Sequence, residues 1–311
     1  MSKIEWTEQT WNPIIGCSKI SQGCKNCYAE TMAHRLAHMR MNQNEHLPEY
    51  ENVIDWKTKG WNGKTHFVES ALDKPLNRKK PTMYFVCSMG DLFHESVPFE
   101  WIDKVIDVIR WTKQHTFQIL TKRPERMKEY FNNHVPNKYL MDNGNYLDNL
   151  WIGVTAENQQ QANKRIPLLL QIPAKVRFVS IEPMLSEVEI SSWLYPEFII
   201  STVETSLDDS SQSKVLQNDI HWVICGGESG HNARPMHPDW VRSLRDQCKD
   251  ANVPFFFKQW GKYCMVEQLP DDIYDLIDLS YMGEGIYYNF GKKKAGSLLD
   301  GKEYKQYPKI K

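Results

Sequence analysis

Six short apolar runs recur along the chain: Met83–Cys87, Thr116–Leu120, Trp151–Thr155, Val176–Ile181, His221–Cys225 and Pro254–Lys258. Their length and their β-branched and aromatic content predict buried strands. The segments between them change period. Ile102, Val105, Ile106 and Ile109 fall at helical spacing after Val97-Pro98, and Met127 and Tyr130 follow Pro124. Ile166, Leu169 and Leu170 share one face of a helix that starts near Asn158, with Pro167 bending or restarting it. Pro238 opens a helix that turns Val241, Leu244 and Cys248 inward. Strands alternating with helices predict a parallel sheet, because parallel neighbours need crossover connections. With an N-terminal element around Ile14–Ile15, the pattern predicts a full or partial (β/α) TIM-like barrel; an open doubly wound sheet is the rival. Residues 132–150 and 186–219 are polar and aperiodic and read as excursions, with 201–219 mobile. The barrel domain is expected over 1–260, with a C-terminal extension over 261–311 that shows no strong pattern before Gly291–Gly296.

Composition narrows the picture. A chain of 311 residues with 41% hydrophobic residues can bury a large core without disulfide staples. The net charge of −1 excludes a strongly basic, sequence-independent nucleic-acid coat, though not a local basic groove. No apolar run reaches the roughly 18 residues of a membrane span, and the first ten residues carry Glu5 and Glu8 and no apolar core of a leader. An odd count of seven cysteines in such a chain argues against a disulfide framework and makes the cytoplasm the expected compartment.

Each strand is followed by ionisable or polar residues. Ser88, Gly90, Asp91 and His94 follow the first run, Thr121, Lys122 and Arg123 the second, and Glu157 and Asn158 the third. Glu182 follows the fourth, Gly226, Gly227, Glu228 and Ser229 the fifth, and Lys258 and Gln259 end the sixth. In a (β/α) barrel these positions converge on one rim, the usual place of chemistry. Loops are polar in any protein, so each residue alone says little; jointly they point to a site.

Three of the cysteines crowd into eleven residues: Gly16-Cys17, then Gly23-Cys24, then Cys27-Tyr28, a C-x6-C-x2-C spacing. The two glycines permit the turns that wrap a loop around a metal. Zinc in a structural site would need a fourth ligand, with His34 or Cys87 as candidates. A [4Fe–4S] cluster normally takes four thiolates; with three, one iron stays open for a cofactor. The polar neighbours Ser18, Lys19, Gln22, Lys25 and Asn26 argue against plain apolar packing of these thiols. The absence of a nearby fourth Cys, together with the rim chemistry, favours iron–sulfur over zinc.

These residues resemble a known family. Trp6-Thr-Glu-Gln-Thr-Trp11-Asn12-Pro13 and the Cys motif look like the start of the phage Gp37/Gp68-like proteins of the DUF5131 group. So do Ser88-Met-Gly-Asp-Leu-Phe-His94, Leu120-Thr-Lys-Arg-Pro124, Arg165-Ile-Pro-Leu-Leu-Leu170 and Glu182-Pro183. Gly226-Gly-Glu-Ser-Gly230 running to Arg234-Pro-Met-His-Pro238, Phe257-Lys-Gln-Trp-Gly261 and the segment from Gly291 to Gly301 complete a match over nearly the whole chain. The family is similar to radical S-adenosylmethionine (SAM) enzymes with a TIM-like barrel. The commoner spacing in that superfamily is C-x3-C-x2-C with an aromatic before the third Cys; here the first gap is six residues and Tyr28 follows the third.

The resemblance implies an enzyme in which Cys17, Cys24 and Cys27 hold a [4Fe–4S] cluster that cleaves SAM reductively, with an external electron donor. Tyr28, Ser88, Gly90, Asp91, Lys122, Arg123 and Glu182 are then the expected cofactor-binding residues. Gly90 backbone and Asp91 would take the methionyl ammonium, and Lys122 or Arg123 its carboxylate, Arg123 having the better fork. Glu228, Arg234 and Lys258 are expected on a rim that admits a nucleic acid or nucleotide substrate; alternatively Glu228 and Arg234 pair and brace their loop. A three-Cys-motif partner protein is a further implied partner. The competing function is a non-catalytic zinc-binding module for nucleic acid or protein.

Overall fold

A computed structural model describes residues 4–39, 48–134, 141–142, 145–195, 219–269 and 287–309. The stretch 196–218, which takes in nearly all of the segment read as mobile, and the segment 270–286 lie outside the described residues.

Seven parallel strands form the main sheet: β1 (Gln9–Trp11), β2 (Met83–Val86), β3 (Thr116–Thr121), β4 (Leu150–Thr155), β5 (Val176–Ile181), β6 (Trp222–Cys225) and β7 (Phe255–Phe257). Their spatial order follows their sequence order, and the sheet curls into a half-barrel. A doubly wound sheet would reverse direction at a switch point; this sheet has none, so the winding is that of a partial TIM-like barrel. All six predicted strands are present. The expected N-terminal element is displaced: Gln9–Trp11 is the barrel strand, paired with Tyr84–Val86, while Ile14–Ile15 pairs antiparallel with His66–Phe67 outside the sheet.

The crossover helices are α2 (Phe99–Trp111), α3 (Pro124–Glu129), α4 (Gln159–Leu170) and α5 (Pro238–Asp250); α1 (Tyr28–Met39) follows the third loop cysteine. Asn158 caps α4 by accepting the Gln161 N–H at 3.0 Å, and Pro167 is carried inside that helix. Pro238 opens α5 behind His237, whose Nδ1 accepts the Asp239 N–H.

Alternation along the strands sorts two cores. Tyr84, Val86, Phe117, Ile119, Ile152, Val154, Val179, Ile181, Val223 and Phe257 pack outward under the helices. Phe85, Trp151, Phe178, Trp222, Ile224 and Phe256 fill the concave side, with Trp6 laid across them. Gly153 is glycine because a Cβ there would stand 2.7 Å from the Phe178 ring. This aromatic plug closes the amino end of the half-barrel. Continuing the same period of two, Lys122, Glu182, Gly226 and Lys258 face inward at the carboxyl end.

The C-terminal extension covers the last edge. Phe257 N–H donates to Tyr304 C=O at 2.8 Å, Gln306 N–H donates to Phe255 C=O at 3.2 Å, and the Trp222 indole donates to Gln306 C=O. Lys305 and Lys292 reach Glu5, tying the two ends of the chain together beside the open edge. An exposed edge strand invites intermolecular pairing, and here residues 304–306 take that place. Among the described residues no helix is long and apolar enough to cross a membrane.

Candidate metal centre

The three-Cys loop leaves the end of the Ile14–Ile15 ribbon at Gly16. There φ is +90°, and a Cβ would approach the Lys64 carbonyl to 2.3 Å, so glycine is required. Gly16 bridges in parallel to Gly90 and donates its N–H to Met89 C=O at 3.0 Å. The loop therefore starts against the Ser88–Asp91 segment and then crosses the carboxyl rim of the sheet.

Strand-end residues hold it there. Arg123, after β3, is nearly buried and uses its whole fork: Nε donates to both Glu95 oxygens at 2.9 Å, and one terminal nitrogen donates to Asp91 Oδ2 at 3.0 Å and to Cys17 Sγ at 3.6 Å. The other terminal nitrogen donates to Ser18 Oγ at 2.9 Å and Ser18 C=O at 3.2 Å. Asp91 accepts from Phe93 N–H, Thr121 Oγ1, Lys122 N–H and Arg123, so each carboxylate oxygen has two donors. Ser18 Oγ also meets His94 Nε2 at 2.9 Å, while His94 Nδ1 accepts the Ser96 N–H. That acceptance leaves the His94 proton on Nε2, and burial and the Arg123 charge hold its pKa below the ordinary value.

Glu157, after β4, is fully buried. It accepts the Gly23 N–H at 3.1 Å and pairs with Arg165 at 2.8 Å. Burial opposes its ionisation, but Arg165 and its hydrogen bonds outweigh that and hold the carboxyl below the usual range. Glu228, after β6, accepts from Asn26 Nδ2 at 3.0 Å and from Arg234 N–H, Nε and Nη2, the last at 2.6 Å. The same Arg234 donates to Gln22 C=O at 3.1 Å. The pairing of Glu228 with Arg234 is thus present, and it braces the Cys loop as well as its own turn. Finally, the Tyr28 hydroxyl donates to Ser88 C=O at 2.9 Å, and Asn12 Oδ1 accepts from Ser88 Oγ and Met89 N–H.

The three thiols differ. Burial and the Asp91 charge push Cys17 up to about 12, against the pull of Arg123. Burial also opposes the Cys24 thiolate, yet Lys122 and hydrogen bonds at Ile20 and Ser21 bring that thiol below its ordinary value. Cys17 and Cys27 lie close enough to feel each other's charge. Cys87, Cys225, Cys248 and Cys264 are buried in the core, where desolvation pushes each thiol up. His34 packs its ring against His38 and Trp56. Among the described residues no three His, Cys, Asp or Glu side chains stand close enough to hold a single metal ion. Thiolates on an iron–sulfur cluster bind separate irons and stand further apart than thiolates on one ion. The donor set, three thiols on one loop at the rim, is one that takes a cluster with an open iron or, with a fourth ligand, a zinc ion.

Beneath the loop the inward positions carry Lys122, Glu182 and Lys258. Lys258 and Glu182 form an ion pair. The Glu182 charge reaches the Tyr28 hydroxyl, which burial, Cys27 and Glu182 all push up. The Lys122 ammonium has no ion pair or hydrogen bond among the described residues and sits near enough to Cys24 and Glu157 to favour both anions. Of the two cations that follow β3, Arg123 is bound to the loop through Ser18 and Cys17, and Lys122 is not. Arg234 and Lys258 each have a carboxylate partner, Glu228 and Glu182 respectively.

Sequence reasoning missed Asn12, Ser18, Asn26, Glu95 and Arg165. Arg165 carried a usable signal, since it sits beside Ile166 on the apolar face of α4, where a charge needs a partner.

A family model described as "Protein of unknown function (DUF5131)" matches residues 1–308. Among curated proteins nothing matches the sequence. Among solved structures the chain is similar to a cysteine-to-serine mutant of a spore photoproduct lyase, at 14% identity and a TM-score of 0.35, over 58% of this chain and 47% of that one. Less than half of that lyase chain is covered, and at this TM-score the likeness bears on neither mechanism nor substrate.

Proposed function

Taking as premise that the chain belongs to the DUF5131 family, we propose that it is a radical SAM-like enzyme whose cluster is held by Cys17, Cys24 and Cys27. One observation carries this reading: strand-end side chains clasp the three-thiol loop across the carboxyl rim of a parallel half-barrel, with inward polar groups beneath it. When bound, a three-thiolate [4Fe–4S] cluster with SAM on its open iron supplies reductive cleavage of the sulfonium carbon–sulfur bond.

The chain's own residues bind and orient. Lys122 is the cation for the methionyl carboxylate. The Gly90 carbonyl, in a segment held by Asn12 and by the contact of Gly90 with Gly16, takes the methionyl ammonium. Asp91 does not serve as that acceptor, because its oxygens are filled by four donors of its own chain. In this reading Glu182 and the Tyr28 hydroxyl, which lie within electrostatic reach of each other, take the ribose hydroxyls. The aromatic plug around Phe178 and Trp222 excludes water from below.

The test is anaerobic reconstitution followed by incubation with dithionite and SAM. Methionine and 5′-deoxyadenosine should form, and Cys17→Ala, Cys24→Ala or Cys27→Ala should abolish both. A reconstituted wild-type chain that binds SAM yet releases neither product would overturn the proposal. Lys122→Ala should raise the SAM dissociation constant about tenfold or more, the worth of one charge-assisted hydrogen bond.

A further inference from the structure

The resemblance casts Arg123 as a cofactor ligand, and its geometry assigns it elsewhere. We propose that Arg123 is a positioning residue that fixes Cys17 as one arm of the cluster site and tunes the bound cluster through an N–H···S bond to the Cys17 sulfur. The inference rests on the reading of the three cysteines given above, and it concerns which residue governs their redox behaviour.

Three features carry it. First, the fork is fully spent: Nε on Glu95, one terminal nitrogen on Asp91 and Cys17 Sγ, the other on both oxygens of Ser18. No donor remains for a ligand carboxylate. Second, its partners lie on either side of the first thiol. Asp91 belongs to the segment that bridges to Gly16, and Ser18 directly follows Cys17, so the guanidinium pins residues 16–18 to the ends of β2 and β3. Third, the sulfur contact is directional. Cys24 has the Ser21 hydroxyl at 3.8 Å, whereas Cys17 has a cationic N–H at 3.6 Å.

The physical consequence follows from charge. Reducing a cluster adds an electron that is shared onto its sulfurs, and a hydrogen bond to a ligating sulfur stabilises that form. Asp91 opposes the Arg123 charge at Cys17, and the directed N–H is what Arg123 adds at the sulfur itself. Relative to a chain that lacks it, the N–H···S bond raises the potential at which the cluster accepts its electron, and the fork holds the Cys17 arm rigid before any metal arrives.

Two measurements test this on Arg123→Lys, which keeps a counter-charge for buried Asp91 but loses the fork. Hydrogen exchange of the metal-free protein reads the clasp alone. Amides of residues 16–19 should exchange about tenfold faster than in wild type, while those near Gly23, held by Glu157, stay as they were. Redox titration of the reconstituted protein, followed by electron paramagnetic resonance, reads the sulfur contact; the midpoint should move to more negative potential at full iron content. Glu95→Gln, altering an exposed partner of the fork, should speed exchange at residues 16–19 by less. An unchanged exchange profile overturns the clasp whether or not the chain binds iron. A midpoint that stays put in a fully loaded Arg123→Lys protein, with loss of SAM affinity instead, overturns the tuning role and makes Arg123 a SAM ligand. A wild-type chain that takes up no iron overturns the three-cysteine reading, and the tuning role with it, while the exchange result still decides the clasp.

Discussion

The carboxyl rim and the C-terminal extension are both fastened by arginine–carboxylate pairs, and they use them differently. At the rim the carboxylates Asp91, Glu157 and Glu228 are almost entirely buried, and each holds a named point of the three-Cys loop or the arginine that grips it. At the extension Arg242 and Arg245 of α5 converge on Asp300, whose side chain is 37% exposed, and Arg242 also reaches Asp239 and Glu267 at the surface. A buried pair is costly to break because its remaining member is left charged in a poor solvent. An exposed pair is screened and its loss is nearly free. The rim thus fixes geometry, whereas the extension relies on its backbone pairing with β7 and on Trp260, Leu299 and Ala295 in the core.

Changes at the rim should therefore outweigh equivalent changes in the extension. The largest effect belongs to the thiols: iron per chain after anaerobic reconstitution should collapse in Cys17→Ala, Cys24→Ala and Cys27→Ala and stay near wild type in Cys225→Ala and Cys264→Ala. Next comes Asp91→Asn, which leaves Arg123 without its buried partner. Its unfolding free energy, read by urea titration, should fall by about 3–5 kcal/mol. Arg234→Ala should cost about 1–3 kcal/mol, because it strips the Gln22 carbonyl and half-exposes Glu228. If it leaves stability untouched but abolishes binding of nucleotides, Arg234 belongs to the substrate and not to the loop.

The smallest effect is in the extension. Hydrogen bonds from Arg242 foremost, then Gln268 and Arg245, hold Asp300 at about 2, well below its usual value of 3.8. Its contribution is therefore present above the unfolded pKa and is lost as pH falls from about 4 to about 2. With the side chain this exposed, Asp300→Asn should cost under about 1 kcal/mol at neutral pH, and the difference from wild type should vanish in that acid window. A loss as large as that of Asp91→Asn would erase the contrast between the two regions.

Much of this was legible in the sequence. Runs such as Val176–Ile181 and the helical spacing after Pro98 and Pro238 placed the strands and crossovers, because burial on both faces leaves a continuous apolar signature. The first barrel strand was less readable: Gln9-Thr-Trp11 is short and half polar, while the more apolar Ile14–Ile15 lies outside the sheet. Strand-end polarity correctly marked the rim, but residue type could not separate two jobs. Arg123 and Lys122 are neighbours on one strand end, and only the alternation of facing sends one sideways to the loop and the other inward. Glu228 and Arg234 likewise follow a strand end, and their partners Asn26 and Gln22, which lie some two hundred positions earlier in the chain, leave no local signal. The extension gave no period in part because it pairs with β7 through backbone atoms, Phe257 with Tyr304 and Phe255 with Gln306, which leave no mark on composition.

The most direct measurement is the electron paramagnetic resonance spectrum of the dithionite-reduced, anaerobically reconstituted protein before and after SAM is added. A [4Fe–4S] signal whose g-values shift with SAM, and which is absent in Cys17→Ala, is the expected result. A colourless chain carrying stoichiometric zinc, or a cluster signal indifferent to SAM, would contradict the assignment of an open iron beneath the three-Cys loop.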